Sequence, residues 1–203
     1  LSWADEQFRR AEPDARTANL WDTCKSEVAT GQFLDVLAQT QANLSTESAR
    51  NVVRFKTTKY TVERPLHVGA ALAGASDETL ASLSKVALPL GEAFQLRDDV
   101  LGVFGDPTNT GKPAGDDLRE GKRTTLIART AQSCGDERVL ALLGTESGVD
   151  ELRGLIVSTG ALAGVEKDID LLTEQTQSAI DEMGSAAKSI LDPLVDAAIR
   201  RVR

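Results

Sequence analysis

Residues 77–104 read DETLASLSKVALPLGEAFQLRDDVLGVF and carry the clearest fold signal in the chain. Apolar residues recur every three or four positions along this stretch, and that spacing places them on one face of a helix. The spacing predicts one long helix with a buried face, and Pro89 in its middle is expected to kink it. The residues of the predicted buried face are Leu80, Leu83, Val86, Leu90, Phe94, Leu101 and Phe104.

The rest of the chain shows the same helical spacing, and the alternation typical of β-strands is scarce. The sequence therefore predicts an all-α fold with one domain over residues 1–203, because that length suits a single core. The chain starts at Leu1 in what reads as the middle of a helix, so we expect an upstream part to be missing. A helix that starts near Ser45 is expected to end before Pro65. The predicted helices cover residues 14–40, 46–64, 66–73, 77–104, 124–133, 149–159, 161–182 and 185–202.

The charge of the chain excludes some classes of partner. The formal net charge is −8, which argues against nucleic acid and against an anionic membrane surface as general partners. No apolar run reaches the length of a bilayer span, so we expect no integral membrane segment. The two cysteines, Cys24 and Cys134, fit a reducing compartment better than a disulfide framework, which predicts a cytoplasmic protein. An anionic ligand would need metal ions or a local group of cations.

The predicted long helix carries adjacent carboxylates. Gln95, Asp98, Asp99 and Gly102 are three or four residues apart and share one face. Two neighbouring carboxylates repel each other, and a divalent cation removes that cost; magnesium binds through one or two carboxylates plus substrate phosphates. An exposed acidic turn is the plain alternative. The apolar pair Val100–Leu101 and the long polar loop that follows favour the metal site.

That loop spans residues 105–123 and reads GDPTNTGKPAGDDLREGKR. Loops longer than about 12–15 residues without their own secondary structure are uncommon in compact domains, and many of them are functional lids. The composition therefore predicts a lid next to the acidic helix face. Asp116 and Asp117 are expected to cap the helix that follows.

Three segments of the chain resemble the trans-polyprenyl diphosphate synthases. They are FQLRDDVLGVFGDPTNTGKPAGDDLREGK at 94–122, GQFLDV at 31–36 and FKTTKYTVERPLHVGAALAG at 55–74. The first resembles the second aspartate-rich region of that family. Two departures stand out. The family's first aspartate-rich motif is not in these residues, and Gly102 stands where the second motif usually ends in aspartate. The substitution Gly102→Asp is expected to add a carboxylate and tighten magnesium binding.

The resemblance implies an antiparallel helical bundle around a deep central cavity and a homodimer. It also implies a magnesium-dependent prenyltransferase that condenses isopentenyl diphosphate with an allylic diphosphate into a short-chain polyprenyl diphosphate. In that chemistry the allylic diphosphate ionises, the double bond of isopentenyl diphosphate attacks the cation, and a proton is lost. Two other readings stay open: a non-catalytic subunit of a heteromeric synthase, which Gly102 favours, and a class I terpene cyclase.

The resemblance also assigns roles to individual residues. Asp98 and Asp99 would hold magnesium, and Gln95 would point a dipole at the reacting centre. Lys56 would contact the diphosphate, and the backbone at Thr57 would face the cation. Lys59 is expected to be a surface cation on a solvated helix face, and the single histidine, His67, is expected to be structural. Further residues expected at the substrate are Lys112, Lys122 and Gln32, with Asp35 as partner of a metal-bound water or a lysine.

Overall fold

The computed structural model describes residues 2–111 and 113–199. Every regular element in these residues is helical, which confirms the predicted all-α bundle. The helices are α1 (Ser2–Arg10), α2 (Ala15–Thr40), α3 (Thr46–Val52), a π-helix (Val53–Glu63), α4 (Arg64–Leu72), α5 (Asp77–Phe104), α6 (Pro107–Thr110), α7 (Asp116–Arg119), α8 (Thr125–Cys134), α9 (Asp136–Leu142), a 3₁₀ turn (Glu146–Gly148), α10 (Val149–Ser158), α11 (Ala161–Met183) and α12 (Ser185–Ile199).

Helix α5 is the centre of the bundle and packs between the π-helix on one side and α11 on the other. It begins at the N-cap Ser76, whose side chain accepts a hydrogen bond from the backbone N–H of Thr79. The helix continues through Pro89 to Phe104. Five of the seven predicted face residues are buried, while Phe94 and Phe104 are half-buried. The apolar spacing therefore predicts the buried face of α5 correctly.

Residues 46–72 form one continuous helical rod, so the predicted end before Pro65 is wrong. The rod changes its hydrogen-bonding register twice, from α3 to the π-helix and from the π-helix to α4. The backbone N–H of Arg64 bonds to the carbonyl of Lys59, five residues back, and closes the π register. Pro65 lies in the first turn of α4, where a missing N–H costs little. A proline at such a register change does not end the rod.

Two glycines let neighbouring helices contact the backbone of the π-helix directly. A Cβ atom built on Gly31 of α2 would lie 2.3 Å from the backbone nitrogen of Lys56, and one built on Gly91 of α5 would lie 2.8 Å from the Cα of Thr58. We call Gly31 and Gly91 the glycine clamp. Because it holds the backbone on both sides of Thr57, the clamp fixes the place from which Lys56 and Thr57 project.

The segment between α5 and α8 is partly helical. It contains the short helices α6 and α7, so the predicted irregular loop is interrupted by two helical turns. The apolar spacing does not predict α9, which has seven residues and carries three charges in its first three positions. None of the described helices has the length and apolar character needed to cross a membrane.

Candidate active site

A cavity of about 360 Å³ opens between α2, α3, the π-helix, α5 and the segment from α7 to the start of α8. Elements far apart in sequence supply its polar side chains, and the bundle brings most of the predicted site residues together there. The predicted residues that line the cavity are Asp35, Lys56, Thr57, Gln95, Asp98, Asp99 and Lys122.

Two predicted residues stand apart from this group. Gln32 is exposed and is not among the described residues that line the cavity. It lies three residues before Asp35, and the lining residue of that helix face is instead Gln39, one turn after Asp35. Lys112 lies outside the described residues.

The two adjacent aspartates of α5 differ in their surroundings. Asp98 is exposed, whereas Asp99 is 4 % exposed. The side-chain amide of Gln95 donates a 2.8 Å hydrogen bond to Asp99 Oδ1, while Asp99 Oδ2 is buried without a hydrogen-bond partner. Burial raises the pKa of Asp99 to about 7; the Gln95 hydrogen bond opposes the rise, and the neighbouring carboxylates of Asp117 and Asp98 add to it.

Both described lysines of the cavity are paired with carboxylates. Lys56 Nζ lies 2.5 Å from Asp35 Oδ2, so Asp35 partners a lysine, as one of the two predicted options had it. Lys122 is paired with Asp117 and lies 3.0 Å from Glu120 Oε2. Burial alone would lower the pKa of Lys122, but its hydrogen bonds to Asp117 and Glu120 outweigh burial and raise it.

Asp117 is the site residue whose position the sequence did not indicate. The expectation that it caps a helix is wrong: the N-cap of α7 is Gly115, which makes no side-chain capping bond. The Asp117 side chain is buried and turns into the cavity beside Gly102. A Cβ atom on Gly102 would lie 2.1 Å from Asp117 Oδ2. The expected gain from Gly102→Asp therefore needs revision, because the carboxylate of Asp117 already fills that space.

Charge in the cavity is predominantly negative. Its described lining includes the five carboxylates of Asp35, Asp98, Asp99, Asp117 and Glu120 and only three cations. These cations are Lys56, Lys122 and Arg123. An anion that enters the cavity without a counter-ion would meet a surplus of negative charge.

A sequence model of the family described as Polyprenyl synthetase matches residues 3–158, more than half of the chain. The chain belongs to the polyprenyl synthetase family. One relative in this family is a geranylfarnesyl diphosphate synthase of Aeropyrum pernix, 33% identical over 87% of this chain and 57% of its own length. A geranylgeranyl diphosphate synthase of Mycobacterium tuberculosis is 31% identical over 80% of this chain and 47% of its own.

A solved structure of the same family superposes closely on this bundle. It is the geranylgeranyl pyrophosphate synthase of Corynebacterium glutamicum, complexed with isoprenyl diphosphate and magnesium. It has a TM-score of 0.91 and 38% identity, and it matches 99% of this chain and 60% of its own length. The chain thus spans about half to three fifths of the length of the polyprenyl synthetase relatives it matches.

The oxygen donors of the cavity fit magnesium when other ligands complete the shell. Magnesium prefers oxygen ligands and keeps waters or substrate phosphates in its shell. The buried, unpartnered Oδ2 of Asp99 is such a donor, and Asp98 precedes it on α5. Within the described ranges, no group of three His, Cys, Asp or Glu side chains is arranged to hold a metal ion. Two carboxylates plus diphosphate oxygens suit magnesium, which usually binds through one or two carboxylates and substrate phosphates.

A largely buried ion cluster lies on another face of the π-helix. Glu27 of α2 receives Lys59 Nζ at 2.5 Å and the Nε and Nη2 atoms of Arg64 at 2.6 and 2.8 Å. His67 and Glu63 adjoin it: the Arg64 guanidinium lies 3.2 Å from His67 Nδ1 and 3.7 Å from Glu63 Oε2. His67 thus lies in a structural network, as predicted. Lys59 is only 14% exposed and is paired with Glu27, so the expectation of a surface cation is wrong. We call Glu27, Lys59, Glu63, Arg64 and His67 the anchor cluster.

Proposed function

We propose that the protein containing this chain condenses isopentenyl diphosphate with an allylic diphosphate to make a short-chain polyprenyl diphosphate, and that magnesium is required. The observation that carries the proposal is the cavity itself. It gathers the amide of Gln95, two α5 carboxylates and two lysines around one space large enough for a diphosphate and the start of a prenyl chain. The names of the family's relatives support the same reaction class.

Several residues of the chain would have separate roles in this reaction. Asp98 and Asp99 would hold magnesium, which when bound neutralises the charge of the leaving diphosphate. Lys56 and Lys122 would turn from their carboxylate partners to diphosphate oxygens and keep the leaving group in place. Gln95 fixes Asp99 Oδ1, which leaves Oδ2 available for the metal.

The allylic cation must be kept away from water. Ala49, Val52 and Val53 form an apolar strip of the cavity wall on the same rod as Lys56 and Thr57. This strip would exclude water from the cation, and the backbone carbonyls near Thr57 would face it. Gln95, on the opposite wall, would add a neutral dipole.

Binding of inorganic pyrophosphate tests the proposal, because pyrophosphate is the leaving group of the reaction. Calorimetry with and without magnesium should show that magnesium raises the affinity by at least about tenfold, since the described lining of the cavity carries more carboxylates than cations. Equal affinities under both conditions would remove the metal from the mechanism and contradict the proposal.

A matched pair of variants identifies the metal-binding side chain. Asp98→Asn should abolish most of the magnesium effect, because it removes an exposed carboxylate of the cavity. Asp170→Asn removes another exposed carboxylate, in α11, that does not line the cavity, and it should leave the effect unchanged. An equal loss in both variants would mean that overall charge, not the site, governs binding.

We further propose that the protein is cytoplasmic and forms a homodimer. Both cysteines are free, which suits a reducing compartment. Three large apolar side chains of α2 are exposed, namely Phe33, Val36 and Leu37. Sedimentation should show a dimer that Phe33→Glu dissociates, because a charge in an apolar interface is costly. A monomeric wild-type protein would contradict this proposal.

A further inference from the structure

We propose that a second cleft of this protein binds the phosphate group of a small anion without magnesium. The cleft has a volume of about 240 Å³ and lies between the rod of residues 46–72 and the middle of α5. None of its described lining residues lines the larger cavity, so this site does not depend on the proposed prenyl transfer. We call it the arginine cleft, and its lining residues are Arg50, Asn51, Arg54, Thr58, Leu88 and Glu92.

The arginine cleft follows one stripe of the rod. Arg50, Arg54 and Thr58 succeed one another at intervals of four residues, which places them along the same side of the helix. The opposite wall belongs to α5. Glu92 of that wall lies next to Arg50, and Gly91 packs against Thr58. The three side chains of the rod therefore face one groove.

The charges around this groove leave one cation uncompensated. Arg50 Nε lies 3.1 Å from Glu92 Oε1, and Arg50 Nη2 lies 3.1 Å from Asp168 Oδ2. Asp168 also binds Arg129, so two arginines and two carboxylates balance one another. Arg54 is exposed and, within the described ranges, forms no ion pair. Its guanidinium is available to an anion, and the arginine fork matches phosphate oxygens in bidentate geometry.

Thr58 supplies a hydroxyl without a partner. The residue is 2 % exposed, and its Oγ1 atom is buried with no hydrogen bond. A threonine in the body of an α-helix can bond the carbonyl four residues back, as Thr130 bonds that of Leu126. Thr58 makes no such bond, because the wider turn of the π-helix changes where that carbonyl lies relative to the side chain. Thr17 and Thr125 also lack a partner, but they lie in the first turn of their helices.

A phosphate would satisfy Thr58 and Arg54 together. The methyl group of Thr58 faces α5, where a Cβ atom built on Gly91 would lie 2.8 Å from Thr58 Cγ2, and this leaves the hydroxyl for the cleft. Burial of an unpaired hydroxyl is unfavourable, and a phosphate oxygen that accepts its hydrogen bond removes that cost. Arg54 lies one helical turn before Thr58, a separation that the several oxygens of one phosphate can bridge.

The charge balance of the cleft explains why magnesium is not needed there. The described lining of the arginine cleft carries two arginines and one carboxylate. The described lining of the larger cavity carries five carboxylates and three cations. A phosphate without a counter-ion is therefore attracted to the cleft and repelled from the cavity.

Titration of the complete protein with inorganic phosphate in the presence of EDTA tests the proposal. Phosphorus NMR should show saturable binding in the millimolar range, because the cleft is open and its charges are screened. Arg54→Gln should weaken binding at least about tenfold, since it removes a hydrogen bond to a charged group. Lys167→Gln removes another exposed cation, in α11, that does not line the cleft, and it should bind phosphate like wild type.

Thr58→Val separates a role in binding from a role in packing. Valine keeps the shape of threonine and replaces the unpartnered hydroxyl by a methyl group. The variant should bind phosphate at least about threefold more weakly, yet its melting temperature without phosphate should rise, because an unsatisfied buried group is gone. Thr130→Val is the control: its hydroxyl is already bonded and lies outside the cleft, so binding should stay unchanged and the melting temperature should not rise.

Several results would overturn the proposal. Wild-type protein without saturable phosphate binding has no such site. A loss of binding in Lys56→Gln instead of Arg54→Gln would place the phosphate in the larger cavity. Equal losses in Arg54→Gln and Lys167→Gln would mean that overall charge governs binding. A Thr58→Val variant that loses stability together with binding would show that the hydroxyl serves the fold. The proposed function is tested separately, because Arg54→Gln should leave magnesium-dependent binding of pyrophosphate unchanged.

Discussion

Lys56 and Lys59 lie three residues apart on the same π-helix, and each is paired with an acid of α2. The first pair lies at the cavity, and the second is part of the structural anchor cluster. Lys56 meets Asp35 at the cavity, and the two side chains are 39% and 27% exposed. Lys59 meets Glu27 in the anchor cluster, where the exposed fractions are 14% and 15%. The two pairs also differ in the number of their ionic partners. Among the described residues, Lys56 and Asp35 pair only with each other, whereas Glu27 binds both Lys59 and Arg64.

Burial decides whether such a pair can exchange its partner. A solvent-accessible ion pair is worth roughly 0–1 kcal/mol, so a diphosphate can take Lys56 from Asp35 at little cost. Removing one member of a buried pair leaves an uncompensated charge and costs several kcal/mol. The π-helix therefore presents a lysine that can move to a ligand on one face and a fixed lysine on the next. The anchor cluster holds the rod in place while the cavity pair changes.

Breaking the anchor cluster should have the largest effect. Glu27→Ala leaves Lys59 and Arg64 without their shared carboxylate and is expected to lower the free energy of unfolding by about 3–5 kcal/mol. Asp35→Ala, the matching change at the cavity pair, should cost less than about 1 kcal/mol. Urea unfolding of both variants measures the contrast. Similar losses in the two variants would mean that the pairs are equivalent and that burial does not separate them.

The second effect is on turnover. Lys56→Ala should lower the turnover of the complete enzyme by about 10²–10³-fold with little change in melting temperature, because it removes one preorganised electrostatic partner of the diphosphate. Lys59→Ala should do the reverse, with a lower melting temperature and turnover near wild type once the protein is folded. Near-normal turnover in Lys56→Ala would refute its role.

How far the sequence could predict this arrangement depended on the range of the interactions. Helical spacing identified α5 and its buried face because that signal is local. The anchor cluster joins Glu27 to residues 32 and 37 positions away, and no local pattern reports such pairs. The sequence does not predict the π-helix, because apolar spacings of three and four residues indicate a helix without testing for the wider i→i+5 turn. Asp117 was placed at a helix cap because its real position depends on how the chain returns to Gly102.

A third test changes the backbone position of the π-helix that carries both lysines. Gly91→Ala places a methyl 2.8 Å from the Cα of Thr58, so the π-helix must shift away from α5. Overpacking of this kind typically costs about 1–3 kcal/mol, and the shift should also raise the KM for the allylic substrate, because Lys56 and Thr57 move with the rod.

Gly69→Ala is the matched control for that test. Gly69 lies in α4 with nothing within 4 Å of an added Cβ, so alanine there should stabilise the protein by roughly 0.5–1 kcal/mol and leave KM unchanged. Opposite signs for the two variants would establish the glycine clamp. A stable Gly91→Ala variant with normal KM would show that the rod does not depend on it.

The smallest expected effect concerns the pH dependence of the anchor cluster. The guanidinium of Arg64 can only donate, so His67 Nδ1 accepts, and Nε2 carries the proton and donates to the carbonyl of Leu80 at 3.0 Å. The buried ring is therefore neutral. Burial lowers the pKa of His67 below its ordinary value of 6.5; the Glu63 carboxylate opposes this, and the charges of Arg64 and Lys59 assist it.

The sign of the pH effect follows from that lowered pKa. At pH values above 6.5 the ring is neutral in both the folded and the unfolded chain, and the contribution of His67 to stability is complete. As the pH falls below 6.5, the unfolded chain takes up a proton before the folded one does, so stability decreases until the folded pKa is passed. The slope from one proton is at most about 1.4 kcal/mol per pH unit. His67→Gln keeps a donor near the Leu80 carbonyl but cannot titrate, so its free energy of unfolding should fall less steeply than that of wild type between pH 6.5 and 5.5. Parallel curves for the two proteins would mean that the folded and unfolded states protonate His67 equally, and the cluster would then not hold the ring neutral.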